Sequence, residues 1–131
     1  MELTYAKNHS LPVILIQNKS GNFILPTLSA VSTAADVNIP LDTRILITDT
    51  EAPEGYPISG FTWLICYRNQ DYDNRSPARG AALGEFLWWA VHEGQQFNEP
   101  LFYAPLPASA IAKAENIIRS LTHGNDYLPC P

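Results

Sequence analysis

With 131 residues, 46% of them apolar and 16% charged, the chain has the size and composition of one folded domain and not of a disordered or coiled-coil polypeptide. Its formal net charge is −5 and its eight lysines and arginines are scattered, so no basic stripe is offered to a phosphate backbone and nucleic acid is not an expected partner. No apolar run approaches the roughly 20 residues that cross a bilayer, so membrane insertion is not expected.

The first residues, MELTYAKNHS, have neither the basic nor the apolar region of a secretory signal, so the chain as it stands is expected to be cytoplasmic. Glu2 to His9 reads as a short helix or the tail of one. Pro12 to Asn18 (PVILIQN) is an apolar run of strand length, and Gly21 to Pro26 (GNFILP) follows a Lys-Ser-Gly turn signal, so the two are predicted to pair as a hairpin. Thr27 caps a predicted helix through TLSAVSTAADV that ends near Asn38 and Pro40. Arg44 to Thr50 (RILITDT) is a third predicted strand. A loop of Pro, Glu and Gly then leads to Tyr56–Tyr67, YPISGFTWLICY, whose apolar half reads as a central strand.

Two later helices follow. Ser76 and Pro77 supply an N-cap and a first-turn proline, and Leu83, Phe86, Leu87, Ala90, Val91 and Gly94 fall on one helical face, which is predicted to be buried. Pro107 opens the second, with Ile111, Ala114, Ile118 and Leu121 as its apolar stripe, Arg119 and His123 near its negative end and Gly124 as its stop. Both are expected to pack on a partner. The adjacent Trp88 and Trp89 cannot share a face, so one is expected to widen the core contact and the other to face a cleft or partner. The alternation of strands and helices points to an α/β fold, a mixed sheet with flanking helices. Cys66 is expected as a buried free thiol in the central strand and Cys130, between two prolines, as exposed, so no disulfide is expected between them.

Candidate chemistry is thin. Ser59-Gly60-Phe61-Thr62 has the residues of an anion cradle, but such cradles form where several amides converge at a helix N-terminus, and here a strand is predicted. His92 and Glu93 begin a zincin motif that Gln96 breaks, which leaves His92 as a surface or groove-lining residue. Asp71 to Ser76 (DYDNRS) lacks the glycine and the bidentate glutamate of a calcium loop, with Ser76 and Ala82 at those places. His9 and His123 have no nucleophile elbow to serve. Sequons at Asn8, Asn18 and Asn74 are too short a pattern to establish a secretory origin. No catalytic residue, metal site or cofactor is identified, and an enzyme is not expected.

Several stretches together carry a resemblance: YAKNHSLP, QNKSGNFILPTLSAVS, YPISGFTWLICY, RGAALGEFLWWAVHEGQQF and LFYAPLPASAIAKAENII. They resemble the C-terminal portion of the phosphate-binding protein of bacterial phosphate ABC transporters, from about Tyr5 to His123, with YPISGFTW and the EGQ…YAPLP spacing as its most specific parts. On this basis residues 1–123 are expected to form a C-terminal phosphate-binding-protein-like domain, incomplete, and residues 124–131 a tail. The resemblance implies a partial lobe of a type II periplasmic-binding-protein fold. It also implies an exported periplasmic or cell-envelope parent that captures inorganic phosphate for import through an ABC transporter permease.

The family's phosphate contacts come from glycine-rich segments and a Ser-Gly-Thr helix start upstream of the region represented here. None of them maps onto this chain, and Ser59-Gly60 matches a late strand of the family. Little or no phosphate affinity is therefore expected of these residues alone. If a small ligand binds, Ser59, Thr62 and Tyr103 are the candidates, as polar groups beside the most apolar strand and before the last helix. An incomplete lobe is also expected to expose a strand edge and an apolar helix face, for which a homo-oligomer is the expected cover. The alternative function is a stand-alone, self-associating or protein-interaction module from a truncated reading frame.

Overall fold

The computed structural model describes residues 2–130. Helix α1, Leu3–Asn8, is the short helix predicted at the start. It is tied to a distant segment by the Thr4 hydroxyl, which donates to the Leu101 carbonyl. Strands β1, Ile16–Gln17, and β2, Phe23–Ile24, pair antiparallel with Ile16 opposite Ile24 and Gln17 opposite Phe23. The predicted hairpin is therefore present, but its ladder is two residues long. Its turn needs Gly21 at φ +85°, a left-handed conformation that glycine adopts without steric penalty.

Helix α2, Leu28–Ala35, starts as predicted, with the Thr27 hydroxyl accepting from the Ala30 amide at 3.1 Å. It ends sooner than predicted, because Asp36 leaves helical geometry and the Val37 amide turns back to the Ala35 carbonyl at 2.9 Å. Ala30, Ala34 and Ala35 are buried, as are Ile39 and Ile47 further along the chain.

The third and fourth predicted strands do not form. Arg44–Thr50 and Tyr56–Tyr67 contain no residue in a ladder. The Asp49 amide donates to the Pro57 carbonyl at 2.9 Å, which joins the two runs to each other, and the Tyr56 amide to the Ala30 carbonyl at 3.0 Å and the Lys19 amide to Asp49 Oδ1 at 2.8 Å tie them to the rest. A strand is defined by hydrogen bonds to a neighbour, and β-rich composition cannot supply that neighbour. The apolar side chains of these runs are correspondingly bare: Leu46 is 86% and Ile65 96% exposed, while Ile47 beside them is 1% exposed. Cys66, expected to be buried in a strand, is exposed for the same reason.

Helix α3, Pro77–Val91, has Ser76 as its N-cap and Pro77 in its first turn. Its buried face is rotated from the predicted one. Gly80 and Gly84 are buried, Leu87, Trp88 and Val91 pack on the core, and Phe86, placed on the buried face by its spacing, is 53% exposed. The apolar spacing began at Leu83 and took in neither Gly80 nor Gly84, and it ran on to Gly94, which lies beyond the end of the helix. A Cβ on Gly80 would lie 3.2 Å from Leu128 Cδ1 and from Gln70 Cβ, so its bareness is what lets the chain approach. Trp88 turns to the core and Trp89 outward, beside Phe86 and Phe97, as adjacency on one helix requires.

Two short 3₁₀ turns, Glu93–Phe97 and Glu99–Leu101, lead to helix α4, Ala108–Arg119, which packs against α3. Leu121, predicted inside this helix, lies just beyond it and is almost wholly buried. Gly124, predicted as the helix stop, instead turns a second hairpin at φ +61°, pairing β3, Thr122–His123, with β4, Asp126–Tyr127. The described residues after His123 thus take part in the fold: the Leu128 amide donates to the Leu121 carbonyl at 2.9 Å, and Leu128 joins Ile118 and Leu121 in the core. Cys130, expected to be exposed, is half-buried against that cluster, and both cysteines are free thiols. Burying three such aliphatic side chains contributes about 1.5–3 kcal/mol each before entropy is charged. A parallel bridge between Asn69 and Thr122 attaches this hairpin to the middle of the chain, and α/β describes the whole.

Candidate functional site

The three residues singled out from the sequence are not brought to one place by their bonding. Ser59 is buried, and its hydroxyl donates to the Tyr56 carbonyl at 2.8 Å, closing a local turn and leaving no free proton for a ligand. Thr62 lies on the exposed run that follows. Tyr103 belongs to a different neighbourhood. Its hydroxyl donates to Glu2 Oε2 at 2.8 Å, and that carboxylate holds the phenol above its usual pKa range. Residues 56–67 contain no helix, so Ser59 and Gly60 do not stand at the convergent amides of a helix start.

The region before Ser59 is organised by Asn18, which the sequence marked only as the end of an apolar run and a sequon. Asn18 is 4% exposed, and its side-chain amide faces three carbonyls: Pro53 at 2.8 Å, Gly55 at 3.2 Å and Ala52 at 3.4 Å. Its oxygen accepts from the Asn22 amide at 3.1 Å, so one side chain ties the β1–β2 turn to the 52–55 loop. The available signal was an asparagine at the junction of an apolar run and a Lys-Ser-Gly turn, where side-chain-to-backbone bonding is common.

Two shallow depressions mark the described surface. One, about 320 Å³, is bounded by the α3 N-terminus and the second hairpin, with His123 and Asp126 on its wall. The other, about 310 Å³, lies between β2 and α2, with Thr27 and Glu54 at its edge. Neither is lined by a lysine, an arginine or any of the three candidate residues, and each presents a carboxylate, which opposes an anion. His123 donates to the Arg75 carbonyl at 2.8 Å from within β3, and so does not serve the end of α4 as its position in the sequence suggested. Among the described residues, no three His, Cys, Asp or Glu side chains gather as a metal site requires.

A second polar cluster joins the ends of α3 and α4. His92 Nδ1 is 2.9 Å from the Trp88 carbonyl, and Nε2 is 3.0 Å from Glu115 Oε1. The ring stacks on Trp88 at 4.4 Å between centroids. Arg119 lies 4.8 Å from the same indole and 3.4 Å from Glu115 Oε2. The Trp88 hydrogen bond, and after it the hydrogen bond and charge of Glu115, hold His92 above the usual imidazole range against the opposing pull of desolvation.

The chain matches known proteins across most of its length. A phosphate-binding protein PstS from Methanocaldococcus jannaschii is 34% identical over 104 residues, covering 72% of this chain and 27% of that relative. The PstS proteins of Xylella fastidiosa and Pasteurella multocida are 28% and 25% identical over 118 and 119 residues, each covering 88% of this chain. Most of this chain is a PstS-like region. It spans about a third or less of the length of these relatives, 31% of the first of those two and 33% of the second. No family model matches the chain.

The mixture of helices and two small sheets fits a partial α/β lobe of the type II periplasmic-binding-protein fold, to which PstS belongs. Among the described residues of the PstS-like region, no helix is long and apolar enough to cross a membrane.

Proposed function

We propose that this PstS-like chain supplies the C-terminal part of a solute-binding protein that captures inorganic phosphate, outside the cytoplasm, for an ABC transporter permease. In this reading the groups that grip the anion are contributed by polypeptide other than these 131 residues, and the chain itself catalyses nothing. The observation that carries the reading is the 34% identity over 104 residues to a phosphate-binding protein nearly four times as long as the matched segment. The bare apolar runs around Leu46 and Ile65 support it, because a strand-forming surface of that kind is covered in a finished lobe.

Calorimetric titration of the isolated chain with inorganic phosphate is expected to give no binding at micromolar concentration. Replacing the matched segment of the M. jannaschii relative with this chain is expected to give a protein that does bind. Micromolar or tighter affinity in the isolated chain would instead place the anion-contacting groups within these residues.

The same bare runs favour a second reading, in which copies of the chain cover one another as a stand-alone self-associating module. Light scattering of the isolated chain at micromolar concentration is expected to give a dimer or larger species. A monodisperse monomer counts against self-association and leaves the first reading intact.

A further inference from the structure

His92 closes the C-terminal end of α3, and both of its ring nitrogens face acceptors. A carbonyl oxygen only accepts, so Nδ1, 2.9 Å from the Trp88 oxygen, must carry a proton. An ionised carboxylate also only accepts, so Nε2, 3.0 Å from Glu115 Oε1, must carry one as well. Neutral imidazole has a single N–H. The two contacts are satisfied together only when the His92–Glu115 pair holds one proton more than a neutral ring and an ionised carboxylate would hold between them.

We infer that His92 and Glu115 form a proton-dependent clasp between α3 and α4, closed while that proton is held and loosened when it leaves. The surroundings of the pair are specific. Trp88 offers its face to the ring at 4.4 Å, which favours a cationic imidazole, and Glu93, the next residue in the chain, adds negative charge. Arg119 of α4 works in the other direction, with its guanidinium 3.4 Å from the second oxygen of Glu115. Loss of the proton sets two lone pairs against each other at the point where α3 hands over to the 93–97 turn. That turn leans on the clasp, since the Gln95 amide donates to the His92 carbonyl at 3.0 Å and Trp89 rests against Phe97. The clasp therefore controls how firmly the exposed Phe86–Trp89–Phe97 aromatics are held.

The direction in pH follows from the bonding. The extra proton belongs to the folded state, so the stabilisation is complete below the free-histidine value of about 6.5 and is lost as pH rises through the higher folded value.

The test is nitrogen NMR of the imidazoles in the full chain between pH 5 and 9, with thermal unfolding followed over the same range. Both His92 nitrogens are expected to be protonated at pH 6.5. Glu115→Gln is expected to lower the His92 pKa by about half a unit or more, and Arg119→Gln to raise it, because the two neutralise charges of opposite sign. The difference in Tm between the natural chain and Glu115→Gln is expected to shrink as pH climbs past the His92 pKa. An unprotonated Nε2 at pH 6 overturns the clasp, as does a His92 pKa that neither substitution moves. Arg119 is half exposed, so its variant keeps the question answerable if Glu115→Gln fails to fold.

Discussion

Ile47→Ala lowers the stability of the isolated chain by about 2–5 kcal/mol in equilibrium urea unfolding, and Leu46→Ala leaves it within about 0.5 kcal/mol. The two residues are neighbours in one apolar run and are indistinguishable by hydropathy. Ile47 is 1% exposed and Leu46 86% exposed, so only the first would leave a cavity. The cost at Ile47 combines lost transfer free energy with a void that surrounding side chains fill only in part. At Leu46 the side chain already faces water, and shortening it removes little contact. The pair also probes the proposed function. In a complete solute-binding protein Leu46 is expected to be covered, and there Leu46→Ala becomes costly too, by about 1–3 kcal/mol. Equal, small effects at both positions in the isolated chain would mean that residues 44–50 do not hold the packing described.

Asn18→Asp is expected to be the most damaging near-isosteric change in the chain. The replaced amide donates to three carbonyls, and a carboxylate placed there would turn an acceptor toward all three. Burying an uncompensated charge costs about 3–5 kcal/mol, which is a large share of the stability of a domain this size. The variant's deficit has a definite pH sign. The folded state disfavours the ionised aspartate and so raises its pKa, which makes the deficit smallest in acid and progressively larger as pH rises past the usual carboxylate range near 4. Urea midpoints at pH 3.5 and pH 7, each taken as the difference from the natural chain at the same pH, read this directly. A variant as stable as the natural chain at pH 7 would show that the 52–55 loop is not held by this side chain.

Local chemistry was well represented in the sequence. Thr27 and Ser76 cap the helices they were expected to cap, Pro77 and Pro107 open theirs, and Lys19-Ser20-Gly21 turns a hairpin, because each signal acts within a few residues of itself. The resemblance to phosphate-binding proteins was also readable from short stretches such as YPISGFTW. Contacts between distant segments were not. Nothing local tells Ile47 from Leu46, places Glu115 under His92, or shows that Leu128 would fold back to the carbonyl of Leu121.

The surroundings of the ligand-binding candidates were hidden for a related reason. Ser59 and Tyr103 were chosen as polar groups beside the most apolar strand and before the last helix, and their hydroxyls bond to Tyr56 and Glu2. By itself, then, the order of residues determined where helices start, where the chain turns and which family of folds it resembles, since those depend on neighbours along the backbone. Whether an apolar run became a strand, which face of α3 was buried and which polar groups stayed available were decided by the tertiary structure. Hydrogen bonds and close packing need a second surface, and the identity of that surface is not written in the segment that meets it.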